Sequence, residues 1–399
     1  MKKRILIASH SLNIGGAESS LIGYLTALSD RKDVETELFL YRHEGELMEH
    51  IPESIRLLPE KSEYACLATP IKRVLKKGRF LIAAGRWWGK RKAAAYRKKH
   101  SAVAEESAVG LEYSHKYTKR FMPQISDKEY DLAVSFLTPH YFAAEKLKAR
   151  KKIAFIHTDY SYITVDRESE LKMWDAYDHI AAVSEAVRDS FTALFPPLAH
   201  KVLVLENINP TALIRKKAEE KLTADEMPEG EEIKLLSVGR FCHAKNFESI
   251  PKKLKMLLDV GIKAKWYIIG YGDDRLIRQA IAETGTEDSV IILGKRTNPY
   301  PYIKRCDIYV QPSRYEGKAV TVLEAQILGK PVVISDFATA ASQLTDGVDG
   351  VVAPMADESF VLRLGQIIAD VEGRRRLSAN CLATDYSGRE AADKLIKLI

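Results

Sequence analysis

The chain has 399 residues, of which 46% are hydrophobic and 29% charged. That balance excludes a disordered, collagenous or coiled-coil polypeptide and leaves room for two or three domains. The formal net charge is +7, yet Ile71–His100 alone holds twelve Lys or Arg and no Asp or Glu, so a basic patch sits on an otherwise slightly acidic protein, which favours a charged surface partner over general nucleic-acid binding.

The four cysteines, Cys66, Cys242, Cys306 and Cys381, are scattered and form no C-x-x-C pair, so they suggest neither a zinc site nor a disulfide framework, and a reducing cytoplasm fits best. Met1–Arg4 followed by Ile5–Ala8 resembles the start of a signal peptide. The apolar stretch ends at Ser9-His10, short of an h-region, and reads as a first strand. No apolar run reaches the eighteen or so residues of a membrane span, which points to a soluble or peripheral protein.

Short Val/Ile/Leu-rich runs alternate with helix-length segments through both halves, the pattern of βαβ units around parallel sheets. The first half predicts strands at Arg4–Ser9, Val34–Tyr41, Asp131–Phe136, Lys152–Ile156, His179–Val183 and Lys201–Leu205. The second predicts them at Ile233–Val238, Ala264–Ile269, Val290–Leu293, Asp307–Gln311, Pro331–Ile334 and Gly350–Ala353. The expected fold is therefore α/β: two Rossmann-like, doubly wound domains facing a central cleft, over residues 1–206 and 233–386. Asn207–Glu232, with Pro210, Pro228, Gly230 and a dense mix of Lys and Glu, reads as the linker. The terminal segment 387–399 is helical by pattern and is expected to pack back on the first domain.

Ligands of open α/β sheets bind beyond the carboxyl ends of the strands. After the first strand, Gly15-Gly16-Ala17-Glu18 combines backbone freedom with a helix start that can meet an anion. Taken alone, such a glycine pair is more often only a tight turn, and the full G-x-G-x-x-G of dinucleotide enzymes is missing. Ser237-Val-Gly-Arg240-Phe-Cys-His-Ala-Lys245-Asn246 places two cations directly after a strand, where they can stabilise a departing diphosphate without a metal. Gln311-Pro-Ser-Arg-Tyr-Glu316-Gly317-Lys318-Ala319-Val320-Thr-Val-Leu-Glu324 runs from strand through glycine loop to helix. Glu324 falls about 7–8 Å further along the helix axis, a spacing that suits gripping two parts of an extended ligand while the helix start near Ala319 meets a phosphate. An isolated pair of glutamates would more often be ordinary surface residues.

These three segments, with Leu328-Gly329-Lys330-Pro331-Val332, resemble the retaining GT-B glycosyltransferases of family four (group 1 glycosyltransferases) of bacterial surface-polysaccharide type. The resemblance implies transfer of a sugar from a nucleoside diphosphate donor to a hydroxyl of a lipid-linked saccharide or cell-envelope polysaccharide. It also implies roles. Arg240 and Lys245 would bind the diphosphate, Glu316 the donor-sugar hydroxyls and Glu324 the ribose; Gly15 and Gly16 would approach the phosphates through their backbone. Arg296, in Gly294–Asn298, would border the base. Gly317, Lys318, Ala319 and Val320 would line the donor site, and His157 would face the sugar near the reacting carbon, although a strand-end histidine taken alone is usually structural. Asp159 is the candidate for deprotonating the acceptor. Family members commonly carry Phe where Lys318 stands, so that cation either favours an acidic sugar or points to solvent. The usual N-P-x-D is here Asn207-Ile208-Asn209. No Asp-x-Asp occurs, so no metal is called for, and no cofactor is expected.

A GT-B nucleotide-sugar epimerase would share the fold but form product without an acceptor. A phosphorylase would need a longer chain and a cofactor lysine. A partner that binds nucleotide sugar without catalysis is the alternative of another class. Finally, Lys90, Arg91, Lys92, Arg97, Lys98 and Lys99 are interleaved with Leu75, Phe80, Leu81, Ile82, Trp87, Trp88 and Tyr96. That composition matches an interfacial segment, and it predicts docking on an anionic membrane surface at the inner face of the plasma membrane.

Overall fold

The computed structural model describes residues 2–13, 15–100, 106–161, 163–222, 226–316 and 318–399. It divides into one unit of residues 1–209 and 388–399 and another of residues 210–387.

The first unit contains β1 (Lys3–Ser9), β2 (Val34–Leu40), β3 (Arg56–Leu57), β4 (Glu106–Ser107), β5 (Glu129–Ser135), β6 (Lys148–Ile156), β7 (Ile163–Thr164), β8 (His179–Ala182) and β9 (Val202–Val204). Seven of these form a parallel sheet in the order β3-β2-β1-β5-β6-β8-β9, and β4 pairs with β7 apart from it. The two-residue strands escape sequence reading because they lack an apolar run. The helix Glu390–Ile396 belongs to this unit: Ala391, Ala392, Leu395 and Ile396 are buried, and Arg389 and Asp393 form ion pairs with Asp30 and Arg31.

The second unit contains β10 (Ile233–Phe241), β11 (Ala264–Gly272), β12 (Val290–Gly294), β13 (Ile308–Gln311), β14 (Val332–Ser335) and β15 (Val351–Ala353), a parallel sheet in the order β12-β11-β10-β13-β14-β15. Its strands are continuously apolar because both faces are covered. Leu235, Trp266, Ile268 and Val310 enter the core on one side. Their neighbours Leu236, Tyr267, Ile269 and Tyr309 enter the core on the other, as a side-chain period of two requires.

The stretch expected to be the linker, 207–232, is mostly part of this second body. Thr211–Lys217 is a helix whose Ile214 packs on Leu323 and Ile327. Met227 is buried under the sheet, and Glu226 binds Arg296 and Tyr302. Two apolar anchors among many Lys and Glu are too sparse to register as a periodic face, yet they suffice to dock the segment.

Candidate active site

In the second unit, Arg240, Lys245 and Glu316 lie at or just beyond the carboxyl ends of β10 and β13. β10 and β11 run in register so that Gly239 opposes Gly270; a Cβ added to Gly270 would lie 1.9 Å from the Gly239 carbonyl oxygen. The two glycines thus let the strand ends close up, and β10 carries Arg240 out exposed at its edge. The chain then turns at Asn246, the one non-glycine residue at positive φ (58°) among those described, a conformation asparagine tolerates better than branched residues. The Asn246 amide donates to the Pro312 carbonyl at 3.0 Å, which ties the cation loop to the glutamate loop.

That tie sets the central contact. Lys245 Nζ lies 2.6 Å from Glu316 Oε1. The same oxygen accepts from Ser313 Oγ at 2.6 Å and Gln311 Nε2 at 3.3 Å. Thr339 Oγ1 donates to the Glu316 carbonyl at 2.7 Å. Glu324 sits in the helix Val320–Ile327 and is buried. Burial pushes its carboxyl up to about 7, against the Tyr300 hydroxyl that donates to Oε1 at 3.0 Å.

Two expected ligand contacts meet internal partners. The Ala319 amide, at the helix start assigned to a phosphate, donates to Gln343 Oε1 at 2.7 Å. Arg296 is held by Glu226 at 2.6 Å and by the Tyr302 hydroxyl at 2.9 Å. Lys318 is half-buried, not fully in solvent; Gly317 lies outside the described residues.

In the first unit, Gly15 caps the helix Gly16–Ser29. Its position is covered by Glu18, whose Oε2 would lie 2.3 Å from a Cβ built on Gly15; burial raises the Glu18 pKa. His157 follows β6 with its ring 4.7 Å from that of Phe136. Both its ring nitrogens are shielded from solvent, and burial holds its pKa down to about 4, so the imidazole is neutral at physiological pH. Asp159 accepts from the Ser161 amide at 2.9 Å. Beyond the ends of β1 and β2 lies a cavity of about 260 Å3, bounded among others by His10, Tyr41, Tyr64, Leu111 and His115, with Arg42 and Glu44 also lining it. Burial keeps both histidines neutral, and Arg42 is ion-paired with Glu44, so the cavity presents no net charge. Sequence reading passed over it because its residues come from four separate segments.

Residues 218–382 match the family model of the Glycosyl transferases group 1. The match covers most of the second unit, including Arg240, Lys245, Glu316 and Glu324. The Amylovoran biosynthesis glycosyltransferase AmsK of Erwinia amylovora is 32% identical over 154 residues, 35% of this chain and 37% of that protein. The N,N'-diacetylbacillosaminyl-diphospho-undecaprenol alpha-1,3-N-acetylgalactosaminyltransferase of Campylobacter jejuni is 28% identical over 167 residues, 41% of this chain and 43% of that one. The chain thus spans about two fifths of the length of these curated relatives. Over 99% of both chains, the fold superposes on Anabaena HepE in complex with UDP and glucose, with TM-score 0.67 and 15% identity. Staphylococcus aureus TarM, solved with UDP and saccharides, superposes over 99% of both chains with TM-score 0.66 and 12% identity. These likenesses establish the GT-B fold.

The basic segment folds as Ile71–Lys76 and Phe80–Lys99. Its inward stripe is small: Gly85 and Gly89 approach the Tyr117 and Tyr113 carbonyls so closely that added Cβ atoms would lie 2.7 and 2.6 Å from them. Ala93 follows one turn on and is buried too. Four large apolar residues point the other way: Phe80 and Leu81 are 65% and 64% exposed, Trp87 and Trp88 48% and 47%. Arg91 lies over the Trp87 ring and Lys92 over that of Trp88. Ten of the twelve cations are exposed, Lys90, Arg97, Lys98 and Lys99 among them. Two expectations for the exposed face are corrected. Ile82 is buried, and Tyr96 is half-buried with its hydroxyl on the Val165 carbonyl. Among the described residues no helix is long and apolar enough to cross a membrane, and no three His, Cys, Asp or Glu side chains cluster to hold a metal ion.

Proposed function

We propose that this protein transfers a sugar from a nucleoside diphosphate sugar to a hydroxyl of a lipid-linked saccharide or envelope polysaccharide, with retention of anomeric configuration and without a metal. The observation that carries the reading is the Lys245–Glu316 contact just beyond the strand ends of the second unit, with Arg240 at the end of β10 and buried Glu324 in the helix that follows the glutamate loop. Cations after β10 suit the charge that develops on a departing diphosphate. Glu316, fixed on one oxygen, suits sugar hydroxyls, and buried Glu324 suits a ribose diol. Catalysis then rests on orientation and leaving-group stabilisation, with neutral His157 offered to the donor sugar and Asp159 to the acceptor proton. The uncharged cavity beside His10 and Tyr41 is below the roughly 300–1,000 Å3 of drug-sized sites, a size suited to one uncharged sugar ring of the acceptor.

The helix Phe80–Lys99 belongs to the same reading. A soluble helix normally buries its aromatic residues; here Trp87 and Trp88 are offered outward among cations, an arrangement suited to the headgroup region of an anionic leaflet. We assign it to peripheral docking at the inner face of the plasma membrane, where lipid-linked acceptors are found.

The test is transfer from labelled UDP- and GDP-hexoses to undecaprenyl-diphosphate-linked saccharides, read by mass spectrometry, with the anomer assigned by NMR. Product retaining the donor configuration and formed equally in EDTA is expected. An inverted product or metal-restorable inhibition overturns those parts of the reading. Donor turnover without acceptor points to the epimerase, and donor binding without any turnover to the non-catalytic partner.

A further inference from the structure

Lys245 and Glu316 stand 71 positions apart in sequence, yet each is the other's partner, with side chains only 17% and 10% exposed. The two members are not equally fixed. Glu316 Oε1 is also held by Ser313 and Gln311, both buried. Gln311 is in turn held by the Tyr309 hydroxyl at 2.8 Å, and the backbone of Glu316 by Thr339. The carboxylate is set in a cradle, whereas Lys245 is a point charge on a flexible four-carbon stem. Lys245 is the member that can leave.

Where it goes has a cost. A diphosphate that draws Lys245 away leaves a mostly buried carboxylate without its cation, which is unfavourable unless other donors take the vacated place. Sugar hydroxyls are such donors, and a bare nucleoside diphosphate brings none. We infer that the Lys245–Glu316 pair is a specificity device: it makes the site prefer the intact sugar nucleotide over its own leaving group. An intact donor replaces both halves of the pair, phosphate for Lys245 and hydroxyls for Glu316. Once the sugar has been transferred, Glu316 recovers Lys245 and the grip on the diphosphate weakens, which favours its release. Ser313 and Gln311 act as positioning residues that hold the carboxylate in place through the exchange. This inference rests on the proposed nucleotide-sugar reading of the second unit.

Calorimetric titration of uridine diphosphate and of guanosine diphosphate tests it in the wild type, Glu316→Gln, Lys245→Met and the double variant. Glu316→Gln frees Lys245 and is expected to bind the better of the two nucleotides about tenfold more tightly than the wild type, the scale of one charge-assisted hydrogen bond. In the Lys245→Met background the same change should give no gain. A gain that persists there is simple repulsion between carboxylate and phosphate, and it overturns the inference, as does unchanged or weaker binding by a folded Glu316→Gln. Ser313→Ala provides an independent arm of opposite sign: having lost one donor, Glu316 leans harder on Lys245, and bare diphosphate should bind less tightly. Unchanged or tighter binding there also counts against the device. Failure of the wild type to bind either nucleotide removes the underlying nucleotide reading and the inference with it.

Discussion

Replacing Glu324 with Gln should stabilise the protein at alkaline pH while impairing the proposed nucleotide site. Burial raises this carboxyl from the usual value near 4.5 to about 7. A carboxyl whose folded pKa exceeds its unfolded one holds its proton more tightly in the folded state. The stability it contributes is therefore complete below about pH 4.5 and is lost as pH rises through about 7. A shift of this size corresponds to roughly 3 kcal/mol, most of it lost between about pH 5 and pH 7. Gln keeps the shape and can still accept from the Tyr300 hydroxyl, but it carries no charge to desolvate. For a unit of this size each kcal/mol moves Tm by about 2–4 °C. The variant should thus unfold about 6–12 °C above the wild type near pH 8 and close to it near pH 5. Glu170, buried in the first unit with its carboxyl also raised to about 7, adds a similar slope to both proteins, so it is the difference between them that reports on Glu324. Melting curves that run parallel across this range, or a variant less stable near pH 8, would refute the argument. The same curves taken with bound nucleoside diphosphate should narrow the gap, because ribose hydroxyls would supply donors to the ionised form.

Two further outcomes are expected. Gly270→Ala should destabilise the second unit by about 1–3 kcal/mol, since its methyl would meet the Gly239 carbonyl oxygen, a backbone atom that cannot rotate away; urea unfolding that matches the wild type would show that the strand ends can spread. Vesicles with anionic lipid should sediment the protein and neutral vesicles should not; high salt, Gln at Lys90, Arg91, Lys92, Arg97, Lys98 and Lys99, or Ser at Trp87 and Trp88 should each reduce this. Equal sedimentation with neutral vesicles, or none with either, would assign the patch to another anionic partner.

The long strands were legible because each buries alternate residues on two covered faces, as Leu235 and Leu236 do. That alone placed Arg240, Lys245 and Glu316 near strand ends. Legibility failed wherever the deciding partner was distant in sequence and carried no local pattern. Nothing around Gln343 announces that it takes the Ala319 amide, and nothing around Tyr300 that it holds Glu324. In the basic helix the expected exposure of Trp87 and Trp88 is met and that of Ile82 and Tyr96 is not: Gly85, Gly89 and Ala93 allow an approach to the neighbouring backbone that leaves the tryptophans outside. A stripe of small residues carries almost no hydrophobic signal.

These failures share a cause that bears on how such sites are read. Most polar groups shielded from water are paired even when no ligand is present, so side chains suited to grip a ligand can grip one another first, as Lys245 and Glu316 do. Sequence reveals the chemistry of each group but not this resting arrangement, and affinity is the difference between the two. A substitution at such a position changes the resting contact as well as the ligand contact. On the proposed nucleotide-sugar reading, the removal of Glu316 illustrates the point: it would take away a partner of the sugar and, in the same step, release Lys245 to a bare diphosphate.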